Sequence, residues 1–258
     1  MFPTILKIGP VGLHSYGLML ALAFIIGIAM VQRGAQRLGV PREAVADLGL
    51  WILVASVAGS RLYYVASHWE EYASRPLTAL AVWDGGLTFY GGVLLALPVS
   101  FLFIRKKRLP GWSLADLVAP AFALGLGLGR IGCFLSGCCF GKPSHLPWAV
   151  TFPADSFAGS IYRCPIHPTQ LYESLFGFLC FGLLSFLARR KYFPGFLMVL
   201  FLGLYGAWRF AIDNLRYYES NQLWLLGLTN NQWISILMVL AAIAAGIWLK
   251  RKSDLGMV

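Results

Sequence analysis

The chain has 258 residues, 58% of them hydrophobic and only 12% charged, with a formal net charge of +10. A soluble domain is about one quarter charged, so this composition excludes an ordinary soluble enzyme and points to a polytopic membrane protein. The basic residues stand in short clusters between apolar runs, a pattern that sets membrane orientation and does not call for a nucleic-acid partner.

Residues 1–11 hold one lysine, and the apolar run that follows is long enough to stay as a span, so no cleavable secretory signal is expected. Apolar windows predict helices near residues 12–32, 46–67, 89–104, 115–129, 170–188, 194–212 and 233–249, an all-α fold with about seven transmembrane helices. A crossing helix needs about 20 residues, so the third and fourth windows are short and are expected to tilt or to extend into polar flanks. No solenoid repeat and no long linker divide the chain. Residues 1–258 are read as a single transmembrane domain, with an outward-facing loop region near 130–169.

Thirteen of the 21 lysines and arginines fall after the first, third, fifth and seventh windows: Arg33, Arg37 and Arg42; Arg105 to Arg108; Arg189 to Lys191; Lys250 to Lys252. With seven spans they share one side, which the positive-inside rule makes cytoplasmic. The N-terminus is then outside and the C-terminus cytoplasmic.

That orientation gathers the polar residues of the apolar segments at the outer face. His14 and Tyr16 open the first helix; Arg61, Tyr63 and Tyr64 lie near the end of the second; Tyr90 opens the third within Gly85 to Gly92. Arg130 ends the fourth, and His167-Pro168-Thr169-Gln170-Leu171-Tyr172-Glu173 opens the fifth. Tyr205, Arg209 and Asp213 follow one face of the sixth at i, i+4, i+8. Asn231 and Gln232 open the seventh.

Each residue has a plainer explanation. The tyrosines serve equally as interfacial aromatics. Arg61 and Arg216 could snorkel to the head groups. Arg209 and Asp213 could be a simple i, i+4 ion pair, and a lone His14 a structural residue. Arg130, between Gly129 and Gly132 in an apolar stretch, is the hardest to explain away, because charge at membrane depth costs roughly 2.5 kcal/mol or more on insertion scales. Guanidinium offers a planar fork suited to phosphate, and flanking glycines let backbone approach a ligand. The residues alone therefore lead to an anionic phospholipid site open to the outer half of the bilayer.

Several segments together resemble the prolipoprotein diacylglyceryl transferase family of the bacterial inner membrane. They are His14-Ser15-Tyr16-Gly17, Gly59-Ser60-Arg61-Leu62-Tyr63-Tyr64, Gly85 to Gly92, Gly129 to Gly141, His167 to Glu173, Tyr205 to Arg216, and Thr229 to Ser235. The resemblance implies transfer of an sn-1,2-diacylglyceryl group from phosphatidylglycerol to the lipobox cysteine that follows a preprolipoprotein signal peptide. The product is a thioether, with glycerol 1-phosphate released. It implies that Arg130 binds phosphatidylglycerol, that Arg209 is a second essential arginine, and that Gly141 closes the lipid-binding signature. Tyr16, Tyr205 and Asp213 fall on supporting positions, with His14, Arg61, His167, Gln170, Tyr172 and Glu173 in matching segments.

Tyr90 stands where the family often has a histidine considered as a base, and Cys133, Ser136 and Cys138 stand where Asn, Asn and Glu are usual. Free tyrosine has a pKa near 10, so a catalytic Tyr90 would need arginines nearby. The transfer needs a thiolate, stabilisation of the leaving phosphate by Arg130 and Arg209, and alignment of two substrates. Arginines supply the positive charge, so neither metal nor cofactor is called for.

Five cysteines remain: Cys133, Cys138, Cys139, Cys164 and Cys180. An oxidising outer compartment would let Cys164 pair with Cys138 or Cys139. A gap of four residues followed by adjacent cysteines is poor spacing for a zinc knuckle. A membrane thiol redox protein is one alternative, although no Cys-x-x-Cys is present. A non-catalytic anionic-lipid binding or transport protein is another. An intramembrane serine protease fits poorly, since Ser136 has no clear histidine partner.

Overall fold

Long runs without water-loving backbone partners must satisfy their amides internally, and a helix is the local way to do so. The computed structural model of the protein describes residues 4–8, 11–73, 76–81, 85–218 and 225–256. Two short strands, β1 (Thr4–Ile8) and β2 (Val11–His14), pair antiparallel with Thr4 opposite His14. Helices follow: α1 (Ser15–Ala35), α2 (Arg42–Ser67), α3 (Trp69–Tyr72), α4 (Phe89–Lys106), α5 (Gly111–Ser136), α6 (Phe157–Ile161), α7 (Thr169–Leu187), α8 (Phe196–Asp213) and α9 (Asn230–Asp254).

Every predicted apolar window holds a long helix, and several boundaries lie a few residues from the predicted ones, two of them with consequences. Residues 11–14, placed partly in the first span, are the second strand of the ribbon. The fourth window, read as 115–129, is the 26-residue α5, which runs through its glycines and past Arg130 to Ser136. Glycine is a helix breaker where water competes for the backbone, but an apolar setting leaves the helical bond as the only partner. Among the described residues six helices are long and apolar enough to cross a membrane: those beginning at Ser15, Arg42, Gly111, Thr169, Phe196 and Asn230.

The chain divides into two compact units, residues 31–114 and residues 1–30 with 115–258. In the first, α2 and α4 cross closely at Gly59 and Gly91, where a Cβ on either would collide with the other's carbonyl oxygen. Thr88, just ahead of α4, donates its hydroxyl to the Ser60 carbonyl at 3.1 Å.

The core of the second unit lies between three helices: Ala119 and Ala123 of α5, Cys180 and Leu184 of α7, Leu197 and Phe201 of α8. Two polar ties fix their register. Asp116 of α5 accepts the Gly195 and Met198 amides at 2.7 and 3.1 Å, satisfying the exposed start of α8. Ser174 of α7 donates to the Gly127 carbonyl at 2.9 Å. The segment between α5 and α7 has its own apolar cluster of Phe140, Phe152, Ala158 and Ile166. Backbone bridges join Ile166 to Pro143 and to Val150, and Gly141 to Arg216.

Candidate active site

Glu173, in the second turn of α7, is 1% exposed and meets three arginines. Its Oε2 lies 2.6 Å from Arg130 Nε, while Oε1 lies 3.0 Å from Arg216 Nη1 and 3.8 Å from Arg209 Nη1. Arg130 sits near the end of α5, Arg209 near the end of α8, and Arg216 just beyond it. Three chain segments thus deliver a cation to one buried carboxylate. Burial works against the Arg216 charge, yet Glu173 more than offsets it and holds that guanidinium above its ordinary value.

Asp213 is the second buried anion, 3.1 Å from Arg209 Nη2. It accepts hydrogen bonds from the Tyr218 and Thr229 hydroxyls. Tyr218 accepts in turn from Arg209 Nη2 at 2.7 Å and from Asn231 Nδ2 at 3.0 Å. Burial pushes the Tyr218 phenol up, against the pull of Arg209 and Arg216, so it keeps its proton and donates. Thr229 also caps α9: its hydroxyl accepts the Gln232 amide while Gln232 accepts the Thr229 amide, a capping box. One threonine therefore ties the start of α9 to the end of α8.

The His-Pro-Thr-Gln segment holds the turn that follows α5. Thr169 donates to the Cys139 carbonyl at 2.9 Å and Gln170 to the Cys138 carbonyl at 2.7 Å. His167 Nδ1 lies 3.3 Å from the Tyr172 hydroxyl, which accepts from Trp148 Nε1 at 2.8 Å. Gly141 is at a backbone junction: a Cβ there would come within 2.6 Å of His167 Cβ and 2.7 Å of the Leu215 carbonyl. Its amide donates to the His167 carbonyl, and the Lys142 amide to that of Leu215. Gly141 therefore shapes the chain that carries Arg216.

Tyr16 and Tyr205 both lie within electrostatic range of Arg130. His14 is exposed at the end of β2, beside buried Ser15, whose hydroxyl is 3.3 Å from that of Ser136. Arg61 belongs to the other unit and is fully used there. Its Nε, Nη1 and Nη2 donate to the carbonyls of Ala79, Gly85 and Thr78 at 2.7, 2.7 and 2.9 Å, and it faces the Tyr64 and Tyr72 rings. Tyr90, in the first turn of α4, is 49% exposed.

All five cysteines are free thiols, so Cys164 forms no disulfide with Cys138 or Cys139. The Cys133, Cys138 and Cys139 sulphurs lie within 4.8 Å of one another, a convergence that their spacing in the chain does not reveal. Sequence reasoning also passed over three site residues. Arg216 reads equally well as a snorkelling side chain and is not among the predicted site residues, and Tyr218 and the hydroxyl of Thr229 carry no signal of their own.

Apolar helices around a buried arginine–carboxylate centre define a membrane-embedded protein with charged groups held inside its helical bundle. The family model for prolipoprotein diacylglyceryl transferase matches residues 3–248. Proteins named phosphatidylglycerol–prolipoprotein diacylglyceryl transferase are similar along nearly the whole chain. That of Synechococcus elongatus is 37% identical over 257 residues, covering 96% of this chain and 87% of the relative. That of Nostoc sp. is 33% identical over 254 residues (96% and 89%), and that of Bordetella avium 37% over 260 residues (98% and 96%). The chain belongs to the prolipoprotein diacylglyceryl transferase family.

Proposed function

We propose that the chain transfers the sn-1,2-diacylglyceryl group of phosphatidylglycerol to the cysteine thiol of a prolipoprotein lipobox, forming a thioether and releasing glycerol 1-phosphate. The observation that carries this reading is the charge balance at Glu173. Three guanidiniums share two carboxylates there, which leaves one positive charge for a phosphodiester that carries one negative charge. Among the described residues, nothing accepts a hydrogen bond from the buried Arg209 Nη1 or Arg216 Nε. These donors are suited to phosphate oxygens.

The chemistry follows from the same balance. As the acceptor sulphur bonds to the glyceryl carbon, the carbon–oxygen bond breaks and its electrons go to the phosphate. The leaving group thereby moves from one negative charge toward two. Cations fixed in a water-poor site stabilise that change more than the ground state, which is what accelerates a reaction. Arg130 and Arg209 are the proposed phosphate ligands, with Arg216 beside them. Tyr16 and Tyr205 flank Arg130, and Glu173 and Asp213 hold the guanidiniums in place. Tyr90 remains the sequence-derived candidate for proton removal.

The proposed setting is a bacterial inner membrane crossed seven times, α4 included, by one membrane domain. The N-terminus and site are at the outer leaflet and the C-terminus is cytoplasmic. The basic clusters at the C-terminal ends of α1, α4 and α9 and just after α7 support that orientation. Exposed Leu94, Leu97, Leu179 and Leu237 suit contact with acyl chains.

The test is transfer of labelled diacylglyceryl from phosphatidylglycerol to a lipobox peptide by the full chain in detergent. Product with a cysteine peptide and none with its serine counterpart is expected. Absence of product, with the protein folded, would overturn the reading and favour lipid binding without chemistry.

A further inference from the structure

Where α8 and α9 pack together they leave an apolar groove of about 490 Å³ between them. Small residues leave the space. Ala242, itself buried, lines the groove together with Gly203 and Gly246. A Cβ on Gly246 would come 3.2 Å from Val199 Cγ1, and one on Gly203 would stand 3.8 Å from Ala242 Cβ. Ile243 and Ile247 of the same lining stay 56% and 52% exposed. Both helices are long and apolar enough to cross a membrane, so the groove opens toward hydrocarbon.

Its length and its two ends indicate what fills it. Along α9 it runs from Val239 to Lys250, about 16 Å at a rise of about 1.5 Å per residue. A hydrocarbon core is about 30 Å thick, so the groove has the depth of one leaflet. One end is wholly apolar, between Leu204 and Val239, and the other carries Lys250 with Phe193 and Phe196. Lys250 is exposed and forms no ion pair among the described residues, although Asp254 follows one turn later. The run Arg189-Arg190-Lys191 ends two positions before Phe193, and Arg251 and Lys252 follow Lys250. Tyr192 stacks on Phe196 at 4.2 Å, and Phe193 meets the same ring edge-on at 5.4 Å. Aromatic rings beside basic side chains mark the level of the head groups, and basic pockets between spans recruit anionic ones. Asp116 already takes the amides that open α8, so an anion at this end is held by side chains.

We propose that this groove binds an acyl chain of an anionic phospholipid, whose phosphate sits at Lys250 within reach of the basic run before Phe193. In the orientation proposed above, that lipid belongs to the cytoplasmic leaflet. It is distinct from the substrate, because Phe196 and Arg209 stand about 20 Å apart along the axis of α8. The bound chain fills the gap between α8 and α9, the helices that Asp213 and Thr229 join at the other end. It thereby steadies the pair that carries Arg209 without touching the reacting groups.

The test uses the full chain in phosphatidylcholine vesicles with and without phosphatidic acid, which keeps the phosphate and lacks the glycerol head group. Thermal unfolding is followed by tryptophan fluorescence. A ligand at about 100 times its Kd should raise the unfolding temperature of a chain this size by about 5 °C or more. Lys250→Glu should remove most of that rise, and so should Gly203→Leu, which places a side chain in the groove. Arg105→Glu makes the same charge change at the end of α4 and should keep the rise. No rise in the wild type would overturn the proposal. A rise that survives both groove variants would place the lipid at the arginine centre instead and overturn it too. Equal loss in Arg105→Glu would reduce the effect to surface charge, and a dimer in these vesicles would put a second copy of the chain in the groove; either result overturns the proposal. No transfer is measured, so the transferase reading stands or falls separately.

Discussion

Arg216 reaches Glu173 at 3.0 Å although 43 positions separate them, and both side chains are buried. Arg216 is carried by the short chain that leaves α8, so the salt bridge fixes that exit against the start of α7. The same carboxylate is held from its other oxygen by Arg130. Glu173 is thus the common counter-ion through which the arginines keep their mutual spacing.

Replacing Glu173 with Gln should leave buried guanidiniums without their shared charge. Breaking a buried pair from one side costs about 3–5 kcal/mol, so a marked fall in the thermal unfolding temperature in detergent is expected, with loss of transfer. An unfolding temperature equal to that of the wild type would show that Glu173 is not the organising anion.

Arg130→Lys and Arg209→Lys test the phosphate seat. An ammonium keeps the charge but loses the planar fork, and losing one aimed donor in a transition state costs about 100-fold or more in rate. Both variants should remain folded and lose most of their turnover with the labelled lipid. Wild-type turnover in both would remove phosphate clamping from the mechanism.

Arg61→Lys should behave differently. Its fork holds the carbonyls of Thr78, Ala79 and Gly85, which one ammonium cannot span. We expect lower folded yield and earlier unfolding, with transfer per folded molecule close to wild type. Normal stability with abolished transfer would place Arg61 among the reacting groups instead.

Tyr90→Phe removes one oxygen and keeps the ring. A hydroxyl that only positions substrate is worth roughly 1 kcal/mol, so a reduction of less than about tenfold in transfer is expected if the acceptor is deprotonated elsewhere. Complete loss, restored by raising the pH above the acceptor thiol's own pKa, would assign proton removal to this oxygen.

Gly141→Ala should strain the junction of three backbone segments, because the new methyl meets the Leu215 carbonyl at 2.7 Å and His167 Cβ at 2.6 Å. Overpacking of this kind costs about 1–3 kcal/mol. Reduced stability together with weaker lipid binding is the expected outcome, measured by thermal unfolding and by binding of phosphatidylglycerol.

Charge in an apolar run is conspicuous, so Arg130, Arg209, Asp213 and Glu173 were legible in the sequence, and the apolar windows gave every long helix. Partners were not legible. Arg61 and Arg130 look alike as intramembrane arginines, yet one is spent on backbone carbonyls that no residue pattern marks. Arg216 lies just past the end of α8, where a snorkelling cation and a buried ion pair have the same sequence appearance. The apolar window for α5 stops at Arg130, and apolarity alone does not show that the helix carries this charge inside it and runs on to Ser136. The cysteine cluster depends on two left-handed residues, Gly137 and Cys139, a backbone property that chain spacing cannot express.

The order of the charges along the chain bears on how the protein is made. Synthesis runs from the N-terminus, so Arg130 already exists when Glu173 emerges, while Arg209 and Arg216 do not. The 2.6 Å pair of Arg130 with Glu173 can therefore form while α8 is still on the ribosome. A carboxylate entering the bilayer on α7 finds a counter-ion waiting on α5, and the insertion machinery is spared an unpaired anion. The later arginines then arrive at a carboxylate already positioned to receive them.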